Sequence, residues 1–226
     1  MTQPDSLPPA ARPTPAVETV AAKAAPAEAY GTEAVAYDQR TEAFQVWRDL
    51  LVDRLAADSG DTVLDVGCGT GLCWAALQAK IGPTGTIVGI DKSEHMLELA
   101  TARIAENGWR NVTVIAAPIE SAPIVGLADC ALFCAVHDVM QSRESLRNVF
   151  SHLRPGAAIA ATGGKWPSPW LWPLREWVAD LHAPFISDFS GFDQPWRILA
   201  EFVPELRVQE LASGAGYLAV GRTPRH

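Results

Sequence analysis

The sequence has few cysteines, and their spacing excludes the common metal and thiol-redox sites. The four are Cys68, Cys73, Cys130 and Cys134, and none belongs to a CxxC pair of the kind that zinc or thiol-disulfide chemistry uses. Cysteines outside such pairs are most simply small buried thiols. We therefore expect no metal site.

Long apolar runs and clustered positive charge are also missing. No segment approaches the roughly 20 apolar residues that span a bilayer, and no basic flank with an apolar run opens the chain, so we expect a cytoplasmic protein. Lys and Arg number 18 against 26 Asp and Glu, which gives a net charge of −8. Binding to phosphate backbones needs clustered cations, so nucleic acid is disfavoured as a partner.

The first 29 residues lack aromatic side chains and are dominated by Ala and Pro. Such a segment buries too little apolar surface to order itself, so residues 1–29 are predicted to be a disordered tail. Residues 30–226 then form one domain, for which the length is sufficient.

Within that domain, short apolar runs alternate with helical patterns after an amphipathic helix over 38–57. The runs are TVLDVG, TIVGID, NVTVIA, DCALFCAV and AAIAATGG. Continuous apolar strands between helices are typical of a parallel sheet covered on both faces. The segments RVQELAS and GYLAVGRT, around Gly214, predict a closing antiparallel hairpin.

A glycine loop and an acidic residue indicate a nucleoside cofactor. Gly67, Gly69 and Gly71 lie where strand one turns into a helix, and Asp91 ends strand two, where a carboxylate can accept hydrogen bonds from both ribose hydroxyls. The dinucleotide fingerprint requires a sixth-position glycine, which is Leu72 here. A pyrophosphate ligand is therefore not expected.

These motifs resemble class I S-adenosylmethionine-dependent methyltransferases, especially the quinone and phospholipid methylating members, from roughly Tyr37 to the end. The resemblance implies a Rossmann-like α/β fold, with a mostly parallel seven-stranded sheet, helices on both faces and a C-terminal antiparallel hairpin. It assigns the methionine and ribose cradle to Asp65, Gly67, Gly69 and Gly71. It assigns the ribose to Asp91 and the adenine surroundings to Lys92.

Two further cofactor contacts follow from the same resemblance. Pro118 stands where the family often has an Asp that binds the adenine amino group, so we expect the Ile119 backbone and the Glu120 side chain to grip adenine instead. Tyr37, just ahead of the first helix, is placed like the aromatic that closes over the cofactor. Alternatively, Tyr37 anchors that helix.

Strand four carries FCAVHDVM to the carboxyl edge of the sheet, where ligands of open parallel sheets bind. We expect Cys134 to lie against the methionine part of the cofactor. His137 is the candidate general base for a hydroxyl acceptor, with Asp138 as a less favoured orienting residue. The alternative is that His137 caps the next helix. His182 is expected to be structural or solvated.

The segment GGKWPSPWLWPLREW contains half of the eight tryptophans and follows strand five, as part of an insertion over 166–194. Arg175 is its only basic residue between Trp166 and Gly191, so we do not expect stable membrane binding. Trp177 lies on an apolar helix stripe and is interpreted as core packing. The proline-flanked tryptophans are predicted to line the acceptor pocket as a lid: Trp166, Trp170 and Trp172.

The sequence thus predicts methyl transfer from S-adenosylmethionine to a small apolar or aromatic acceptor by in-line displacement. Two alternatives stay open: an NAD(P)-dependent oxidoreductase, which Leu72 disfavours, and an S-adenosylmethionine-binding module without catalysis. The methylated atom and the oligomeric state stay open as well.

Overall fold

A seven-stranded mixed sheet forms the centre of the protein, as the sequence predicts. The computed structural model describes residues 41–225 apart from 172, 184, 185 and 187, so the predicted tail over 1–29 lies outside the described residues. The strand order is β3-β2-β1-β4-β5-β7-β6. The strands are β1 (Thr62–Val66), β2 (Thr86–Asp91), β3 (Val112–Ala116), β4 (Ala128–Cys134), β5 (Leu153–Gly164), β6 (Arg207–Leu211) and β7 (Gly216–Arg222).

The first five strands are parallel, and β7 pairs antiparallel with both β5 and β6, which confirms the predicted hairpin. The described helices are α1 (Gln45–Arg54), α2 (Trp74–Ile81), α3 (Glu94–Asn107), α4 (His137–Met140), α5 (Arg143–Ser151), α6 (Leu174–His182) and α7 (Leu199–Phe202).

Helix α3 shows how local sequence sets its own bounds. The Ser93 hydroxyl accepts a hydrogen bond from the Met96 amide at 3.4 Å, and Gly108 ends the helix with a left-handed φ of 65°. A serine N-cap and a glycine C-cap satisfy backbone groups that the helix itself leaves unpaired. Both ends of α3 are thus set by residues next to it in the sequence.

Apolar side chains cover the two faces of the sheet. Val63 packs in one layer with α1 and α2, whereas its neighbour Leu64 packs in the other with residues of α5 and α7. Alternating side chains of a strand point to opposite faces, so both faces of β1 are buried. The carboxyl ends of the parallel strands are left as the edge where ligands can enter.

Trp74 of α2 is the largest fully buried side chain on its face, and two glycines make room for it. A Cβ at Gly71 would lie 2.4 Å from the indole, and a Cβ at Gly89 would lie 2.6 Å from it. Gly71 therefore packs beneath Trp74, so its place in the loop has a structural cause.

Gly89→Ala is expected to destabilise the fold by about 1 to 3 kcal/mol, because the new methyl group overlaps a buried indole that has no free space. Urea unfolding followed by circular dichroism measures the change. Gly163→Ala, in β5, is the matched control, since its Cβ would lie 3.4 Å from the nearest atom. Equal unfolding midpoints for the two variants would contradict this account of the packing.

Candidate active site

A cavity of about 800 Å³ opens at the carboxyl edge of the parallel strands. The glycine loop, the end of β2, the segment after β3, the end of β4 and the insertion after β5 all contribute to its walls. Nine of the predicted site residues line it: Asp65, Gly67, Gly69, Asp91, Lys92, Ile119, Glu120, Cys134 and His137.

At the glycine loop, a side chain on Gly67 would clash with the protein and one on Gly69 would extend into open space. Gly67 has a φ of 68°, and a Cβ there would lie 2.4 Å from Val136. Gly69 has a φ of 54°, and a Cβ built on it meets no described atom within 4 Å, so its backbone faces open cavity. This combination lets a ligand approach the main chain closely.

The Asp91 carboxylate is oriented by two backbone amides. Its Oδ2 accepts from the Gly69 amide at 2.9 Å, and its Oδ1 accepts from the Ser93 amide at 2.9 Å. Asp91 lines the cavity, and each of its oxygens retains a second lone pair that can accept from a ribose hydroxyl. The loop and the end of β2 are thereby held together.

Asp65 is a buried acid in the cavity wall. Its Oδ2 accepts a hydrogen bond from Trp74 Nε1 at 2.9 Å. Burial raises the pKa of the Asp65 carboxyl to about 7, and the nearby Asp91 charge adds to the rise, while the indole bond opposes it. The site therefore has a carboxyl group that titrates near neutral pH.

His137 begins α4 and has a defined tautomer. Its Nε2 lies 3.0 Å from the Ser190 carbonyl oxygen, and a carbonyl only accepts, so Nε2 carries the hydrogen. Burial lowers the pKa of the imidazole below its usual 6.5, which keeps the ring neutral at pH 7. Nδ1 is buried and has no hydrogen-bond partner among the described residues.

The residues proposed for adenine lie together on the cavity wall. The Glu120 carboxylate accepts from the Ser145 hydroxyl at 3.2 Å, and the Ile119 carbonyl accepts from the Asn148 amide at 2.7 Å. Both are therefore anchored to α5. Tyr37 lies outside the described residues.

Two tryptophans of the insertion, Trp166 and Trp170, do not lie in the predicted pocket wall. Trp166 stacks on Phe189 at 5.1 Å between ring centroids, and the Arg175 guanidinium lies 3.8 Å above its ring. Trp170 is 77% exposed. Neither lines the cavity, since Trp166 packs against Phe189 and Phe192 and Trp170 projects to solvent; Trp172 lies outside the described residues.

The interpretation of Trp177 as core packing is wrong. Its side chain is 60% exposed and lines the cavity, and Val178 is the only fully buried member of the predicted stripe of α6. Val178 and Leu181 of the same helix also line the cavity, so part of this apolar face is directed toward it.

Sequence reasoning also missed His182 and Tyr217, both of which line the cavity. His182 lies four positions after Val178, so it shares a helical face with the buried position; this spacing could have identified it. Tyr217 pairs with Gly163 across the β5–β7 ladder, and burial raises the pKa of its phenol. Its position in the cavity wall follows only from the register of the β5–β7 pairing.

Within the described ranges, no three metal-ligating side chains come together, and the helices are too short or too polar to cross a bilayer.

Comparison with known proteins identifies the chemistry of this family. A family model described as a methyltransferase domain matches residues 57–169, which is half of the chain. A demethylmenaquinone methyltransferase from Lactococcus lactis is 26% identical over 77% of this chain and 73% of its own. A 2-phytyl-1,4-naphthoquinone methyltransferase from Trichormus variabilis is 26% identical over 71% of this chain and 63% of its own.

Solved structures agree on the fold. A SAM-dependent methyltransferase from Aquifex aeolicus superposes with a TM-score of 0.63 and 18% identity, over 85% of this chain and 97% of its own. These matches favour methyl transfer over the oxidoreductase alternative. The chain belongs to the methyltransferase-domain family, and it is an S-adenosylmethionine-dependent methyltransferase.

Proposed function

We propose that the enzyme methylates a small aromatic acceptor in the chamber beneath the insertion, with His137 as general base. The observation that carries this proposal concerns His137: its side chain lines the cavity that also contains the glycine loop, and its buried Nδ1 has no hydrogen-bond partner within the described part of the chain. A lone pair without a partner in a buried site is ready to accept a proton or a hydrogen bond from a ligand.

The cavity fits S-adenosylmethionine. The open space at Gly69 suits close approach of a ligand to the backbone, Asp91 suits ribose hydroxyls, and the wall at Ile119 and Glu120 suits adenine. When bound, the cofactor supplies an activated methyl group on a positively charged sulfonium.

Asp65 complements that positive charge. Its carboxyl is buried, lines the same cavity and titrates near pH 7. A cationic ligand nearby favours the ionised form of an acid, so Asp65 is suited to become a full negative charge when the site is filled. Trp74 Nε1 donates to the carboxylate and keeps it oriented meanwhile.

The acceptor end of the cavity is mainly apolar. The insertion and the end of β6 contribute these side chains: Trp177, Val178, Leu181, Ile186, Phe192 and Leu211. Such walls suit an aromatic ring with few polar groups. The names of the two quinone methyltransferases support the same acceptor class.

His137 is the residue that would take the hydroxyl proton of the acceptor. His137 Nδ1 accepts the hydroxyl proton of the acceptor, while Nε2 continues to donate to the Ser190 carbonyl. The negative charges of Asp138 and Asp188 favour the imidazolium that forms. A positioned base of this kind typically contributes about 10² to 10⁴ in rate.

The charge and the cysteines support the remaining assignments. A net charge of −8 favours a small-molecule acceptor over nucleic acid. All four cysteines are unpaired, which favours a cytoplasmic location.

Asp91→Ala is expected to weaken S-adenosylmethionine binding by roughly 10²-fold or more, because two hydrogen bonds to a charged acceptor are lost. Isothermal titration calorimetry measures the affinity directly. Asp53→Ala, which removes an exposed carboxylate outside the cavity, should bind as the wild type does. Near-normal affinity of Asp91→Ala would overturn the ribose assignment.

Asp65 should make the stability of the free protein depend on pH. Its pKa is about 7 when folded and 3.8 ordinarily, so its stabilising contribution is full below pH 4 and is lost as pH rises through 7. Relative to Asp65→Asn, the wild type should lose roughly 4 kcal/mol at most between pH 4 and 7.

Urea unfolding at several pH values gives the two curves. Asp53→Asn is the control, and its curve should run parallel to that of the wild type because its carboxylate is exposed. If Asp65→Asn also runs parallel to the wild type, the raised pKa is wrong.

The tautomer of His137 can be observed directly. Nitrogen–proton correlation spectra of the ring should show a neutral imidazole with hydrogen on Nε2 at pH 7, becoming charged only below pH 6.5. His137→Gln assigns the signal by its loss, and His95→Ala removes a different one. Hydrogen on Nδ1, or a charged ring at pH 7, would contradict the role of Nδ1 as base.

A further inference from the structure

A second histidine lies in the acceptor chamber. His182 ends α6 and lines the cavity, with its ring against the main chain at the end of β5. A Cβ at Gly164 would lie 2.2 Å from His182 Nε2, so the imidazole occupies space that only a glycine leaves. The position of the ring is thus specified by both the helix and the strand.

His182 and His137 are held by one buried phenyl ring. The centroid of Phe192 lies 5.4 Å from that of His182 and 5.1 Å from that of His137, and both pairs meet edge to face. Phe192 is fully buried, so it cannot move freely between them. The two imidazoles therefore have a fixed relative position on the chamber wall.

The ring nitrogens of His182 have no hydrogen-bond partner within the part of the chain that the structure describes. Neither ring nitrogen makes a hydrogen bond to another described residue, although the ring is half-buried. Burial, together with the nearby His137, lowers the pKa of the His182 imidazole. At pH 7 the ring is neutral and offers one donor and one acceptor.

Around these two rings the chamber is apolar, with Val178, Leu181 and Ile186 on the insertion side. A ligand that forms a hydrogen bond with a polar group in such surroundings gains binding free energy. An apolar ligand that leaves the group unpaired binds more weakly. The acceptor that suits this wall has a polar atom opposite each imidazole.

We propose that His182 determines acceptor specificity by hydrogen-bonding a second oxygen of the aromatic acceptor, while His137 Nδ1 accepts the proton of the first. The proposal rests on the proposed function, because it requires the acceptor to enter this chamber. A ring with two oxygens is then favoured over a ring with one. His182 contributes to binding and orientation, and His137 alone takes the proton.

The test compares two probes on the protein saturated with S-adenosylhomocysteine: 1,4-dihydroxynaphthalene and 1-naphthol, titrated without oxygen in a calorimeter. The wild type should bind the diol about fivefold more tightly, as expected for one additional hydrogen bond. His182→Phe keeps an aromatic ring without nitrogen, so it should bind both probes with equal affinity.

A second variant leaves the histidine in place and displaces its ring. Gly164→Ala should also remove the preference for the diol, since its methyl group takes the place of Nε2. The matched control is Gly163→Ala, whose Cβ would make only an ordinary contact at 3.4 Å. His95→Ala, on an exposed position of α3, controls for loss of a histidine.

The possible results distinguish a failure of the His182 assignment from a failure of the proposed function. The role of His182 alone is overturned if His182→Phe still prefers the diol. It is also overturned if the wild type binds S-adenosylhomocysteine but shows no preference for the diol. A wild type that fails to bind S-adenosylhomocysteine overturns the proposed function as well. Loss of the preference in His182→Phe and Gly164→Ala, with both controls retaining it, supports the assignment.

Discussion

The hydrogen bond from Trp74 Nε1 to Asp65 Oδ2 is the interaction on which the site depends. It joins α2 to β1 across the glycine loop, with both partners buried. Gly71 and Gly89 are glycines because the indole fills the space beside them. The same indole donates a hydrogen bond to the carboxylate that gives the cavity its titratable negative charge. One side chain, Trp74, therefore both fills the core and orients the charged group of the site.

A second buried polar group fixes the insertion to the sheet. Lys165 Nζ donates to the carbonyls of Trp166 and Gly214 and pairs with the Glu210 carboxylate at 3.0 Å. One ammonium thereby joins the start of the insertion to the β6–β7 hairpin. With the Trp166 and Phe192 contacts above it, the acceptor chamber has a rigid base, which suits a reaction that needs alignment.

Much of the fold was predictable from the sequence, because its signals are local. The apolar runs predict strands over a few residues each, and the structure confirms those strands. The Ser93 cap and the Gly108 stop of α3 also act over a few residues. Asp91 was predictable for a related reason, since parallel strands bring their carboxyl ends to one edge. Trp177 was misjudged because an apolar helical stripe does not reveal whether another element covers it.

The sequence by itself determined the order of strands and helices, the glycine loop and the acid at the end of β2. These features follow from turn chemistry and hydrophobic periodicity, both of which depend on residues that are close together in the sequence. Tertiary structure decided which imidazole nitrogen of His137 is available, since its partner Ser190 lies 53 positions away. It also brought His182 into the chamber, because the space for its ring comes from a glycine on another element.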